Sequence, residues 1–312
     1  MTAFAFVFPG QGSQAVGMLD AWGDHPAVAA TLREASAALG EDIGRLIHEG
    51  PKEQLDLTTN TQPVMLAAGI AAWRAWQAEG GAAPVAVAGH SLGEYTALVA
   101  AGVLSLADAL PLVRLRATAM QEAVPVGVGA MAAILGLDAQ AVRDGCKAAA
   151  QASGEVVEAV NFNDPKQTVI AGSKAGVDKA CELLKAAGAK RALLLPVSAP
   201  FHSSLMKPAA LRLQAALEKV TLNAPAFPVI NNVDVATPTD AAAIRDALVR
   251  QAAGPVRWVE VVQALRARGV THVVECGPGK VLAGMARRID GELVTGALYD
   301  PATLAEIKGV LQ

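Results

Sequence analysis

A chain of 312 residues is long enough for one large domain, or for a large domain that carries a smaller one. Its residues are 53% hydrophobic but only 4% aromatic, which describes an α/β core filled by Ala, Val and Leu. A net charge of −3 gives no overall basic field for nucleic acid or an anionic membrane, so an acidic partner would need a local cationic patch.

Phe4–Phe8 is an apolar run that reads as a first strand. The N-terminus carries no basic segment or long apolar stretch of the signal-peptide kind, so the expectation is a soluble cytoplasmic protein. A Gly-rich loop over 9–17 follows, then helical patterning over 27–39 and 62–78. The short apolar run 84–88 reads as a buried strand and 94–101 as a helix. Between them lies Gly89-His90-Ser91-Leu92-Gly93. Strand, G-x-S-x-G, helix is the context of a nucleophile elbow, which presents Ser91 at a sharp turn before a helix N-terminus. The apolar stretch 82–104 could suggest a membrane span, but Pro84, His90, Ser91 and Glu94 interrupt it.

A helix is expected over 106–122 and a hinge over 124–129. Beyond the hinge the pattern is strand 130–135, helix 139–152, strand 156–162, strand 167–171, helix 176–187 and strand 191–195. That β-α-β-β-α-β order is ferredoxin-like. Strand–helix alternation resumes after Pro196, with a short strand at Val229 and Ile230, helices over 241–251 and 256–268, and a strand over 272–275. The expected architecture is therefore a parallel-sheet α/β domain built from 1–126 and 197–312, with a small domain, 127–196, inserted in it.

A serine nucleophile needs a base. His25 and His48 lie in polar segments expected to be exposed, His272 opens a strand, and His90 is fixed beside Ser91 and points the wrong way. His202 remains; it follows a strand, precedes a helix and so sits at a strand-end loop. A helix-capping role is the plain alternative for it. No acid stands out between Ser91 and His202, so a dyad whose imidazole is oriented by a carbonyl oxygen is a serious option.

Gly10-Gln11-Gly12-Ser13-Gln14-Ala15 nominally fits a dinucleotide fingerprint. The region after it, which includes Glu34, is helical where that fingerprint demands a strand. The loop reads better as a source of backbone N–H groups for an oxyanion. Gly277-Pro278-Gly279-Lys280 has the wrong spacing for a phosphate loop. Arg114 and Arg116 share a helix, where arginines are usually solvated; one that faced Ser91 would select acyl groups bearing a carboxylate. Cys146, Cys181 and Cys276 form no CxxC pair and no metal-ligand spacing with the five histidines, so neither a metal site nor a disulfide scaffold is expected.

Taken together, these motifs make the chain resemble the bacterial malonyl-CoA:acyl carrier protein transacylases over essentially its whole length. The likeness rests on 8–14, the elbow through Tyr95, Arg114-Leu115-Arg116, Met120-Gln121-Glu122 and Asn161-Phe162-Asn163. It continues through 196–202, Asn231-Asn232-Val233, 251–258 and 275–280. The resemblance implies an α/β-hydrolase-like core with an inserted ferredoxin-like subdomain. It implies Ser91 as nucleophile, His202 as base, the backbone N–H groups of Gln11 and Leu92 as the oxyanion hole, and Arg116 as the malonyl-carboxylate ligand. It also implies that the main-chain carbonyl of Gln251 orients His202. The implied activity is malonyl transfer from malonyl-CoA to acyl carrier protein in fatty acid biosynthesis, by a monomer with no metal or other cofactor. In related modular synthases malonyl-selective domains often carry H-A-F-H and methylmalonyl-selective ones Y-A-S-H. Here Ala199-Pro200-Phe201-His202 keeps the bulky Phe but differs at the first two positions. A serine thioesterase and a silent carrier-binding module are the rival readings.

Overall fold

Strand β1 (Phe4–Phe8) is buried along its whole length, as a strand covered on both faces must be. The computed structural model describes residues 2–197 and 199–311. The remaining strands are β2 (Ala86–Gly89), β3 (Gly129–Leu135), β4 (Val157–Asp164), β5 (Gln167–Ser173), β6 (Arg191–Leu194), β7 (Val229–Ile230), β8 (His272–Cys276) and β9 (Val294–Leu298). They form two sheets. One is five-stranded, in the order β7-β2-β1-β8-β9, and all its pairings are parallel. The other is four-stranded, in the order β4-β5-β3-β6, and all its pairings are antiparallel.

The two-residue period of a strand divides the core of the parallel sheet. Phe4, Phe6, Phe8, Val87 and Val274 enter one apolar cluster with the long helix Thr58–Ala78, whose Trp73 and Trp76 meet Phe6 edge-on. Ala5, Val7, Ala86, Ala88 and Val273 enter a second cluster with the helices Trp258–Ala267 and Val281–Ile289 on the opposite face. The antiparallel sheet has its own apolar cluster against the helices Ala139–Ser153 and Lys174–Ala186. The mixed α/β class and the separation into a parallel and an antiparallel sheet thus follow the sequence pattern.

Several boundaries differ from expectation. The helix expected from 256 starts at Trp258, because Val256 instead forms a parallel bridge to Asn161 and ties β4 to the parallel-sheet side. The elbow strand runs through Gly89 rather than ending at Ala88. β9 and the helix Pro301–Leu311 carry no expectation at all; β9 is an edge strand with a weak burial alternation. His25 is half-buried rather than exposed, its ring edge-on to Trp22 at the start of the helix Pro26–Leu39. His48 is exposed, beside Asp20 at 2.6 Å. Among the described residues, no helix is long and apolar enough to cross a membrane.

Candidate active site

Ser91 sits between β2 and the helix Gly93–Ala100, at φ 54°, in the left-handed region that a side chain rarely occupies. The elbow glycines are there for a different reason than backbone freedom: neither has a positive φ. A Cβ on Gly89 would lie 1.9 Å from the carbonyl of Gly93, and one on Gly93 would lie 2.0 Å from the carbonyl oxygen of Phe8. The turn is packed against itself and against the end of β1, so its strain is borne by Ser91. Asn232 straps the turn. Its Oδ1 accepts the Ser91 N–H at 2.7 Å and its Nδ2 donates to the Gly89 carbonyl at 2.7 Å.

His202 also has a positive φ, 65°. Its Nε2 lies 2.7 Å from Ser91 Oγ, across 111 residues of sequence. Its Nδ1 faces two backbone carbonyls, Gln251 at 3.0 Å and Gly254 at 3.2 Å. Two acceptors on that side require Nδ1 to carry the proton, which leaves the Nε2 lone pair directed at Ser91. No carboxylate is needed to fix this tautomer. Burial is the larger cause, and the Arg116 charge the next, that push the His202 imidazole down to about 3, against the two carbonyl hydrogen bonds. It is therefore neutral around pH 7 and able to accept a proton.

Arg116 is only 2% exposed on the helix Leu106–Glu122. Its Nη1 donates to Gln62 Oε1 at 2.7 Å, and its Nη2 donates to Gln251 Oε1 at 3.0 Å and to Ser91 Oγ at 3.2 Å. Its Nε is buried and makes no hydrogen bond among the described residues. Tyr95 lies beneath the guanidinium, 5.4 Å from its ring centroid. Arg114 behaves as an ordinary helix arginine and pairs with Glu41 at 2.7 Å. His90 turns away, its Nε2 2.8 Å from Asn163 Oδ1.

A cavity of about 140 Å³ lies in front of Ser91, lined by Gln11, Leu92, Arg116, Phe201 and His202 among others. A second, of about 210 Å³, adjoins it through His90, Asn161 and Leu195 and reaches Val281 and Met285. Their lining residues come from the antiparallel sheet and from loops that follow strands of the parallel sheet, so the two cavities lie between the sheets. All six residues singled out in the sequence meet here: Ser91, His202, Arg116 and Gln251 in one hydrogen-bonded cluster, and Gln11 and Leu92 at the cavity wall. Ser198, within the stretch 196–202, lies outside the described residues.

Four participants carry no expectation from the sequence: Gln62, Glu94, Asn232 and the carbonyl of Gly254. Glu94 left a signal as an acid in an otherwise apolar helix, and Asn232 and Gly254 lie in stretches that carry the resemblance without a role assigned to them. Among the described residues, no group of three or more His, Cys, Asp or Glu could hold a metal ion.

Residues 5–289 match the model of the acyl transferase domain family. The chain is similar to the malonyl CoA-acyl carrier protein transacylase of Salmonella typhimurium, 56% identical over 306 residues that cover 98% of each chain. It is similar to a solved acyl-carrier-protein S-malonyltransferase of Burkholderia pseudomallei, with TM-score 0.97, 65% identity and coverage of 99% of this chain and 100% of that one. It is similar, too, to the solved complex of a type II PKS acyl-carrier protein with its malonyl-transacylase, with TM-score 0.97, 51% identity and coverage of 99% and 100%. The chain belongs to the malonyl CoA-acyl carrier protein transacylase family.

Proposed function

We propose that this chain transfers a malonyl group from malonyl-CoA, through an ester on Ser91, to the phosphopantetheine thiol of acyl carrier protein in fatty acid biosynthesis. His202 Nε2, at 2.7 Å, takes the Ser91 proton as the oxygen attacks the thioester carbonyl. The backbone N–H groups of Gln11 and Leu92, at the cavity wall, hold the tetrahedral oxyanion. His202 then returns the proton to the departing CoA sulfur. The carrier thiol enters by the reverse sequence, so the enzyme is regenerated with its proton in place. The carbonyls of Gln251 and Gly254 hold the imidazole throughout.

Arg116 pairs with the malonyl carboxylate. The supporting observation is a fully enclosed guanidinium within hydrogen-bonding distance of the nucleophile, with its Nε–H still unspent. Pairing also offsets the Arg116 charge, the second cause after burial of the lowered His202 imidazole, so substrate binding raises the basicity of the base when it is needed. Phe201 lines the cavity and leaves little room for an α-methyl group, which favours malonyl over methylmalonyl. The chemistry asks for no metal or other cofactor; the CoA thioester is the substrate.

The architecture fits an α/β-hydrolase-like domain formed by 1–126 and 197–312, with a ferredoxin-like subdomain, 127–196, inserted in it. The separate apolar cluster of the antiparallel sheet and its β4-β5-β3-β6 order support that division. We take the enzyme to work in the cytoplasm as a monomer. Mass spectrometry of the intact protein mixed with malonyl-CoA tests the activity: a persistent malonyl ester is expected. Turnover to free malonate would mean a thioesterase, and an unchanged mass would mean a binding module.

A further inference from the structure

Glu94 follows the nucleophile by one helical turn and is 2% exposed. Its Oε2 accepts the backbone N–H of Asn232 at 2.8 Å and the side-chain Nε2 of Gln251 at 3.1 Å. The same Gln251 side chain accepts Arg116 Nη2 at 3.0 Å through its Oε1. One neutral amide therefore stands between a buried carboxylate and a buried guanidinium. The two are each other's counter-charge, although they do not touch.

Malonyl loading, on the reading of Arg116 given above, brings a second carboxylate into this enclosure. Two anions would then share one cation in a place where water solvates neither. The malonyl carboxylate contacts the guanidinium directly, whereas Glu94 is held only by neutral donors. Glu94 is thus the group that must yield its charge. Burial already pushes its carboxyl up to about 7, and losing the exclusive claim on Arg116 pushes it further.

The other ionisable groups around Glu94 do not compete near neutrality. Asp234, in the turn after β7, is clamped by Arg250 at 2.7 and 2.6 Å, which holds its carboxyl below the usual range. Tyr95, on the same helix, is pushed up to about 12 by burial. The His202 imidazole is pushed down to about 3 and His90 is lowered as well, both chiefly by burial. Burial lowers the Arg116 guanidinium from its ordinary range, but arginine stays charged in proteins. Glu94 also borders a void of about 10 Å³ with Leu98, Asn231 and Ile244, about the least space that holds one water.

We propose that Glu94 couples malonyl loading to proton uptake: as the malonyl group enters, one solvent proton binds the Glu94 carboxylate, and that proton leaves when the malonyl group departs. An acetyl group brings no charge and needs no such proton. The coupling makes the stability of the malonyl-enzyme depend on pH, in a way that the stability of an acetyl-enzyme does not.

The test compares malonyl-CoA with acetyl-CoA on the parent enzyme in weak buffer at pH 8, with an indicator dye reading protons and intact mass reading acyl-enzyme. Both donors break a thioester, form an ester and release the same thiol, so thiol ionisation cancels in the comparison. The expected excess for malonyl approaches one proton per ester formed. Its loading equilibrium relative to acetyl should fall by up to about tenfold per pH unit above 7. In Glu94→Gln, which keeps the acceptor oxygen but cannot ionise, the excess should vanish and the relative loading should become flat between pH 7 and 9. Equal proton counts for the two donors on the parent enzyme would overturn the proposal without reference to any variant, as would an excess that persists in Glu94→Gln. If Arg116→Ala still discriminates against malonyl while the parent shows no excess, Glu94 alone is misread. If Arg116→Ala weakens malonyl and acetyl loading equally, the reading of Arg116 fails and the coupling falls with it.

Discussion

Ser91 and His202 are both held in left-handed backbone conformations, and both are braced by hydrogen bonds to groups far away in sequence. Ser91→Ala removes one hydroxyl and leaves the Asn232 strap, which bonds to the backbone N–H. The variant should fold with an unchanged Tm and form no malonyl ester by intact mass; a labelled Ala protein would move the nucleophile elsewhere. His202→Ala should slow loading by roughly 10²- to 10⁴-fold, measured by single-turnover kinetics, since the hydroxyl is a poor nucleophile without its base. The pentapeptide pointed to Ser91 and the elimination of the other histidines to His202, and the structure brings these two side chains together. Of the groups that orient them, the Gln251 carbonyl came through the family resemblance alone, and Asn232 and the Gly254 carbonyl carried no expected role. A backbone carbonyl such as that of Gly254 can come from any residue type, so it leaves no mark on sequence. Gln62 is an ordinary polar residue until the fold brings it to Arg116, and Asn232, although within a stretch that carries the resemblance, had no role until the fold brought it to Ser91.

At the scale of elements, the elbow depends on how closely β1, β2 and the helix Gly93–Ala100 approach one another. Gly93→Ala would set a methyl group 2.0 Å from the Phe8 carbonyl oxygen, where only backbone movement makes room. It should destabilise by about 2–4 kcal/mol and lower Tm by several degrees. Gly309→Ala, in the exposed last turns of the helix Pro301–Leu311, meets nothing within 4 Å and should stabilise by about 0.5–1 kcal/mol. Equal thermal melts for the two variants would refute the packing account of the elbow. Lys190 and Arg191 are exposed at the start of β6, which also exposes Leu193 and Leu194, so this edge offers an acidic carrier both charge and apolar surface. Reversing both charges should raise the KM for carrier protein and blunt its salt dependence while leaving loading from malonyl-CoA intact. Equal losses in the two half-reactions would exclude docking there. Long periodic elements were legible in the sequence. The shift of the helix start to Trp258 was not, because Val256 is drawn into pairing with Asn161, a residue on the other sheet.

For the whole molecule, four buried titratable groups set opposing pH dependences. Glu94 and Glu275 are each raised to about 7, chiefly by burial, so the native state binds the extra proton and the stability they contribute is lost as pH rises from 4.5 through 7. His202 and His90 are lowered by burial, so the unfolded chain binds the extra proton and stability is lost as pH falls below 6.5. These slopes of opposite sign, each at most about 1.4 kcal/mol per pH unit, oppose one another between pH 4.5 and 6.5. Stability should vary less there than below pH 4.5, where the histidine slopes are joined by those of Asp56, Asp234 and Glu260, whose carboxyls are held low by their hydrogen-bonded cationic partners. Denaturant titrations across pH read this directly, and a steeper decline between 6.5 and 5 than below 4.5 would contradict it. The two-sheet division was visible from the switch of strand–helix order after residue 126, but the cleft it creates, where Arg116 is buried, was not. A helix arginine is ordinarily solvated, and only the packing of Gln62, Tyr95 and Gln251 around it reverses that rule. The decisive measurement is therefore the loading of malonyl and acetyl groups, by intact mass and kcat/KM, on the parent enzyme and on Arg116→Ala. Stranding the malonyl carboxylate should cost about 2–5 kcal/mol, roughly 30- to 4,000-fold in kcat/KM for malonyl-CoA, while acetyl loading holds steady or improves. A parallel fall for both substrates would contradict the selection of the malonyl carboxylate by Arg116.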